Sequence, residues 1–226
     1  MTIEAVIFDL DGTLATFNLD YKALRGEVRE YLTRIGVPSS VLKVNESIFE
    51  MMQKTEIYLK NNNKAEQTFK DARSQCLAIA EKYEMEAALA TSLLPGAVET
   101  LKELAKMKLK IGLCTTSSET AANYILQRFK IIDFFGIVFP RDIVKRVKPD
   151  TEQFMLALKT LGVLANATVI VGDSNVDMES AKELKAVAVG LPTGFSTKEQ
   201  LIENGANYII TSLSDLQVLI KKINKN

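Results

Sequence analysis

From Pro95-Gly96 onward the chain alternates short apolar runs with amphipathic helical stretches, and this alternation constrains the fold more than any other feature. Strand patterns fall at residues 110–114, 137–139, 168–171, 186–189 and 208–210. Helical patterns fall at 97–107, 119–129, 150–161, 176–184, 197–204 and 213–222. Strands separated by helices cannot close as hairpins; they lie parallel, with the helices covering both faces. An earlier run at residues 4–10, Glu-Ala-Val-Ile-Phe-Asp-Leu, is continuously apolar up to its end and suits a central strand of the same sheet. The expected fold is therefore α/β, a doubly wound parallel sheet with right-handed crossovers. Its ligand belongs beyond the carboxyl ends of the strands, at a topological switch point.

Between these two parts the pattern changes. Residues 21–35, 40–59 and 64–90 read as helices, split by Gly36-Val37-Pro38 and Asn61-Asn62-Asn63. Ile48, Met51, Met52 and Leu59 form an apolar stripe at helical spacing, which reads as packing between these helices. The expected organisation is a core of residues 1–16 and 93–226, with an α-helical cap domain inserted at 17–92. Both borders follow or precede core strands near their catalytic ends, so the insert is expected to act as a lid that chooses the leaving group.

The 226 residues carry 28 basic and 28 acidic side chains, without the cationic excess of a nucleic-acid binder. No apolar run approaches the ~18 residues that a membrane span requires. The opening Met-Thr-Ile-Glu-Ala moves directly into a strand pattern with no signal-peptide pattern. Cys76 and Cys114 are the only cysteines and read as buried, reduced core residues, so the expected address is cytoplasmic. There is no histidine. That excludes Ser-His-Asp and Cys-His catalysis and any histidine-ligated zinc, and leaves acid–base work to carboxylates, Lys, Tyr or Cys.

Four polar signals stand where the fold places chemistry. Asp9-Leu10-Asp11-Gly12-Thr13 sets two carboxylates at i and i+2 after a strand, followed by a glycine that permits a sharp turn. Cys114-Thr115-Thr116-Ser117-Ser118 offers hydroxyls and free backbone N–H groups at a helix start, which suit a phosphate. Val147-Lys148-Pro149-Asp150 places a lone lysine before a helix. Val171-Gly172-Asp173-Ser174-Asn175-Val176-Asp177 sets two more carboxylates at a strand-to-helix turn. Taken singly, these are a turn, an N-cap, a surface lysine and a capped glycine turn; their order along alternating strands and helices is the informative part.

That order and spacing resemble the haloacid dehalogenase superfamily of hydrolases, and within it the phosphoglycolate phosphatase-like members. The resemblance covers residues 3–17 and 94–210 and is most specific in the Asp-Leu-Asp-Gly-Thr and Gly-Asp-Ser-Asn-Val-Asp boxes. It implies a Rossmann-like core with an inserted cap, and a magnesium-dependent phosphatase acting through an aspartyl-phosphate. Under it, Asp9 is the nucleophile and Asp11 the general acid and base. Mg²⁺ is held by Asp9, the Asp11 carbonyl oxygen and Asp173, with Asp177 orienting the metal's water shell. Thr115 and Thr116 bind phosphate oxygens, and Lys148 offsets the charge that gathers there. The substrate is a small phosphorylated metabolite, phosphoglycolate and other small esters being candidates, and the assembly a monomer or homodimer with neither nucleic-acid nor membrane partner.

The departures from the family pattern narrow the reading. Haloalkanoate dehalogenases lack a carboxylate at the position of Asp11, which points away from dehalogenation. Relatives acting on β-phosphoglucose carry Glu-Asp at the fourth box, where this chain has Gly172-Asp173. Thr116 stands where many members have Asn, and Val147 where many have Gly. The alternatives are a phosphoryl transferase or phosphomutase of the same family, or a catalytically silent protein that keeps the fold.

Overall fold

A computed structural model of the protein describes residues 2–225. In chain order the elements are β1 (Ala5–Phe8), α1 (Tyr21–Arg34), α2 (Ile48–Asn61), α3 (Glu66–Ala90) and α4 (Ala97–Lys106). There follow β2 (Lys110–Cys114), α5 (Glu119–Arg128), β3 (Ile137–Phe139), α6 (Glu152–Leu161), β4 (Thr168–Gly172) and α7 (Asn175–Leu184). The chain then forms β5 (Val187–Gly190), α8 (Lys198–Glu203), β6 (Tyr208–Ile209) and α9 (Leu216–Ile223). The expected doubly wound sheet is what forms. Its six strands lie in the order β3-β2-β1-β4-β5-β6, and every pairing is parallel.

β1 is central because it can be nothing else. Ala5, Val6, Ile7 and Phe8 have no solvent exposure, so both faces of the strand need cover. From β1 the chain moves outward through β2 to β3, then crosses to β4 on the other side. That reversal opens a crevice at the carboxyl ends of β1, β2 and β4.

The chain divides into two compact units, one running to Asn18 and resuming at Ala88, the other Leu19–Ala87. In the first, Ile7 and Ile170 of neighbouring strands pack with Phe154 and Leu158 of α6 and Met178 of α7. In the second, Leu24, Val28 and Leu32 of α1 meet Ile48, Met51 and Met52 of α2 and Cys76 and Ile79 of α3. The methionine stripe is thus interhelical packing. Both cysteines are buried and free.

The largest departure from a helical sequence pattern is at the start of α2. The run from residue 40 becomes α2 only at Ile48, because Ser47 closes a capping box: its Oγ accepts from the Glu50 N–H at 3.1 Å, and its N–H donates to Glu50 Oε2 at 2.7 Å. The preceding residues form turns, one held by Arg29 Nε donating to the Leu42 carbonyl at 3.0 Å. α6 likewise begins two residues late, with Asp150 Oδ1 accepting from the Glu152 N–H.

Candidate active site

The site is built from chain ends that the sheet brings together. Asp9 follows β1 directly, its N–H continuing the ladder to the Val171 carbonyl at 2.9 Å. The chain then turns back on itself, the N–H groups of Thr13, Leu14 and Ala15 all donating to the Leu10 carbonyl. Gly12 makes this turn with φ of +85°, and a Cβ there would stand 2.5 Å from Asp173 Cγ. Both the left-handed backbone and the close approach therefore require glycine.

Asp173 comes just past β4 and Asp177 lies in the first turn of α7. Asp173 is 2 % exposed and Asp177 is wholly buried. Lys148, from the segment between β3 and α6, reaches into the same crevice. Its Nζ donates to Asp9 Oδ1 at 2.6 Å, to Asp177 Oδ1 at 2.7 Å and to the Cys114 carbonyl at 3.1 Å. The solvated-lysine reading fails: Lys148 is 5 % exposed, and each of its three donor directions has an acceptor. Its backbone is anchored nearby, where Ser180 Oγ donates to the Pro149 carbonyl at 3.0 Å.

Electrostatics follow from this burial. Asp9, Asp173 and Asp177 can bring one carboxylate oxygen each within 4.8 Å of the others. Against three carboxylates stands one ammonium, which leaves two negative charges in excess if all ionise. Burial pushes the Asp9 carboxyl well above the usual range; Lys148 pulls it down, and Asp177 and Asp173 push it further up. Burial and the neighbouring Asp177 raise Asp173 to about 7, against the pull of the Phe195 N–H and Lys148. For Lys148 burial opposes the charge, but Asp177 and Asp9 outweigh it and the net direction is upward. A cluster of hard oxygen donors with two uncompensated charges fits a divalent cation of the magnesium or calcium kind.

The remaining sequence candidates sit on the rim of the same crevice. Asp11 is half-buried, and its Oδ2 accepts from Ser117 Oγ at 2.6 Å. Thr115 and Thr116 follow β2. Thr115 is buried, and its Oγ1 accepts from the Ser117 N–H at 3.1 Å, which curls the segment ahead of α5. Gln153, fully buried on α6, donates to the carbonyls of Thr115 at 2.9 Å and Phe139 at 2.7 Å. Arg141 donates to the Thr116 carbonyl at 3.2 Å.

Several of these partners escaped the sequence reading. Ser117 lay inside a run already noted for its hydroxyls, but nothing local pairs it with a residue 106 positions away. Thr13, whose Oγ1 donates to Asp173 Oδ1 at 3.2 Å, was visible only as part of a turn. Residues 191–196, which touch both Asp173 and Gly12, carried no motif at all. Their one available signal was position, just after a strand at its carboxyl end.

Known proteins resemble this chain along most of its length. The haloacid dehalogenase-like hydrolase profile matches residues 3–185. A phosphoglycolate phosphatase of Pseudomonas syringae pv. tomato is 28 % identical over 223 residues, covering 94 % of this chain and 78 % of that protein. Pyrophosphatase PpaX of Bacillus mycoides is 26 % identical over 230 residues, covering 99 % of this chain and 100 % of the relative. Among solved structures, a hydrolase from Pseudomonas syringae superposes with a TM-score of 0.67 at 25 % identity, covering 97 % of this chain and 99 % of the other. A phosphonoacetaldehyde hydrolase-like protein from Oleispira antarctica reaches a TM-score of 0.70 at 19 % identity, covering 100 % and 94 %, a likeness of fold alone.

Proposed function

The chain belongs to the haloacid dehalogenase-like hydrolase family, and from that premise we propose that it is a magnesium-dependent phosphatase hydrolysing small phosphate monoesters through an aspartyl-phosphate on Asp9. One observation carries the reading: a buried ammonium, Lys148, shared between Asp9 and Asp177 beside a third buried carboxylate, Asp173. A pocket with that charge pattern fits a phosphate and a divalent cation arriving together.

In the first step a carboxylate oxygen of Asp9 attacks phosphorus, the P–O bond to the leaving group breaks, and Asp11 gives that oxygen its proton. In the second, a water attacks phosphorus while Asp11 takes a proton back; inorganic phosphate leaves and the Asp9 carboxylate is restored. Ser117 Oγ donates to Asp11 Oδ2 and so helps to fix the orientation of that carboxyl. Lys148 holds Asp9 by one oxygen, so the attacking group keeps a single orientation. Thr115 and the backbone around Thr116 receive the phosphate oxygens. Mg²⁺, held by Asp9, the Asp11 carbonyl and Asp173 with Asp177 on its water shell, would neutralise phosphate charge. Asp177 suits that outer place because Lys148 and Ser174 already engage its oxygens.

Two substrate chemistries are carried by the relatives' names, phosphoglycolate and pyrophosphate. Both present a terminal phosphoryl group on a small anionic leaving group. We read the inserted helical segment, 17–92, as the cap domain that chooses between them. Two free, buried cysteines support a reducing, cytoplasmic setting. The test is phosphate release from phosphoglycolate, pyrophosphate and a panel of small esters, with Mg²⁺ and with chelator, for wild type and Asp9→Asn. Release that needs Mg²⁺ and disappears in a folded Asp9→Asn variant is expected. Undiminished turnover by that variant would rule out the aspartyl-phosphate.

A further inference from the structure

The segment after β5, residues 191–196, belongs to no part of the machinery described so far, yet it makes more contacts with the acidic cluster than its sequence suggests. Leu191 N–H donates to the Gly172 carbonyl at 2.9 Å, extending the sheet to the residue before Asp173. Thr193 Oγ1 donates to the Gly12 carbonyl at 2.5 Å, which ties the segment to the turn after β1. Phe195 N–H donates to Asp173 Oδ2 at 2.7 Å, and Ser196 N–H to the Asp173 carbonyl at 3.1 Å. Ser196 Oγ accepts from the Asn175 N–H at 3.1 Å, at the start of α7. The Phe195 ring meets the Phe17 ring edge-on with centroids 6.2 Å apart.

Gly194 explains how the segment comes so close. A Cβ there would lie 2.7 Å from Asp173 Cγ and 2.8 Å from Gly12 Cα. Its backbone is outside the left-handed region, so glycine is required here for room, not for conformation. Asp173 is thereby clasped from two sides: Thr13 Oγ1 donates to Oδ1 and the Phe195 N–H to Oδ2. Donors on both oxygens fix the plane of the carboxylate and the directions in which its remaining lone pairs point.

We propose that residues 191–196 form a positioning loop that orients the Asp173 carboxylate toward the divalent cation, with Gly194 and Thr193 as the residues that seat it. This rests on the metal reading above. Thr193 and Gly194 are exposed, so the ordinary expectation for a substitution at either is silence. Hydrogen-bonded supports of metal ligands instead typically carry about 10- to 100-fold in metal affinity.

The experiment measures the Mg²⁺ dissociation constant of the full chain by calorimetric titration, well below the unfolding temperature, with circular dichroism as a check on folding. Thr193→Val removes the tether while keeping the shape, and should weaken Mg²⁺ binding about 3- to 10-fold; Thr193→Ser, which restores the hydroxyl, should recover it. Gly194→Ala should weaken binding by at least ~10-fold. Asp173→Asn is the control that removes the ligand itself. Folded Thr193→Val protein with wild-type Mg²⁺ affinity, beside a wild type that binds and an Asp173→Asn that does not, would overturn the loop's role alone. A wild type that takes up no Mg²⁺ would overturn the metal reading and the loop's role with it.

Discussion

Replacing Lys148 by methionine keeps most of the buried stem and removes only the charge and its three hydrogen bonds. The ammonium stands 2.6 Å from Asp9 and 2.7 Å from Asp177. At an effective dielectric constant of about 20, each pair attracts by about 6 kcal/mol before desolvation is subtracted. Burying the ions costs several kcal/mol each, so the net loss on breaking such a buried arrangement is about 3–5 kcal/mol. Protonation limits that loss. A stranded carboxylate can become neutral at a cost of about 1.4 kcal/mol per pH unit above its unfolded pKa of about 3.9, or about 5.6 kcal/mol at about pH 8 and about 2.2 kcal/mol at about pH 5.5. The folded carboxyls of the variant sit above their unfolded values, so its folded state holds more protons, and its stability falls as pH rises from about 4 upward. Urea unfolding of metal-free protein, followed by circular dichroism, should therefore show a deficit against wild type that is large at about pH 8 and narrows by more than ~1 kcal/mol at about pH 5.5. Phosphatase turnover should fall by ~10²-fold or more in the same variant. A variant within about 0.5 kcal/mol of wild type at about pH 8 would mean that Lys148 behaves as a surface lysine, and the charge argument fails.

Metal-free wild type should lose stability as pH rises from about 4 to 7, because Asp173 is raised to about 7 by burial and then by Asp177, and its neutral form favours the folded state. Asp173→Asn should lack this share of the slope, up to about 1.4 kcal/mol per pH unit; an unchanged slope in thermal or urea unfolding would place the titration elsewhere. Calcium should inhibit turnover, since it takes carboxylates in bidentate fashion and would engage the oxygen of Asp9 that attacks phosphorus; equal rates with Ca²⁺ and Mg²⁺ would contradict one-oxygen coordination. Cys76 and Cys114 should resist iodoacetamide in native protein and react in urea, as burial pushes the Cys76 thiol up to about 12 and raises Cys114 as well; a rapid mass shift under native conditions would refute this.

The sequence by itself determined what repeats locally or follows from chain direction. Strand–helix alternation after Pro95-Gly96 required a parallel sheet, and β2 and β3 occupy the very residues that their patterns mark. The unbroken apolar run of β1 required cover on both faces, and the sheet order provides it. The switch-point rule expects Asp9, Asp173 and Lys148 near the carboxyl ends of the strands, and the folded chain gathers them there. A capping box at Ser47 was equally local, yet the helical periodicity upstream of it concealed the start of α2.

Tertiary structure alone decided the relations between these residues. Lys148 and Asp9 are 139 positions apart, Thr13 and Asp173 are 160, and Thr193 and Gly12 are 181. No periodicity reaches across such spans. Whether Lys148 is solvated or locked among three acceptors depends on burial, a property of the neighbours that the sheet assembles around it. The same is true of Gly194, whose glycine identity reflects the Asp173 carboxylate and the Gly12 backbone pressed against it, not any turn of its own. Local patterns specify elements because hydrogen bonding and side-chain direction within an element are local. The charge state and orientation of a carboxylate are set by whatever lies within a few ångströms of it, and only the folded chain supplies that.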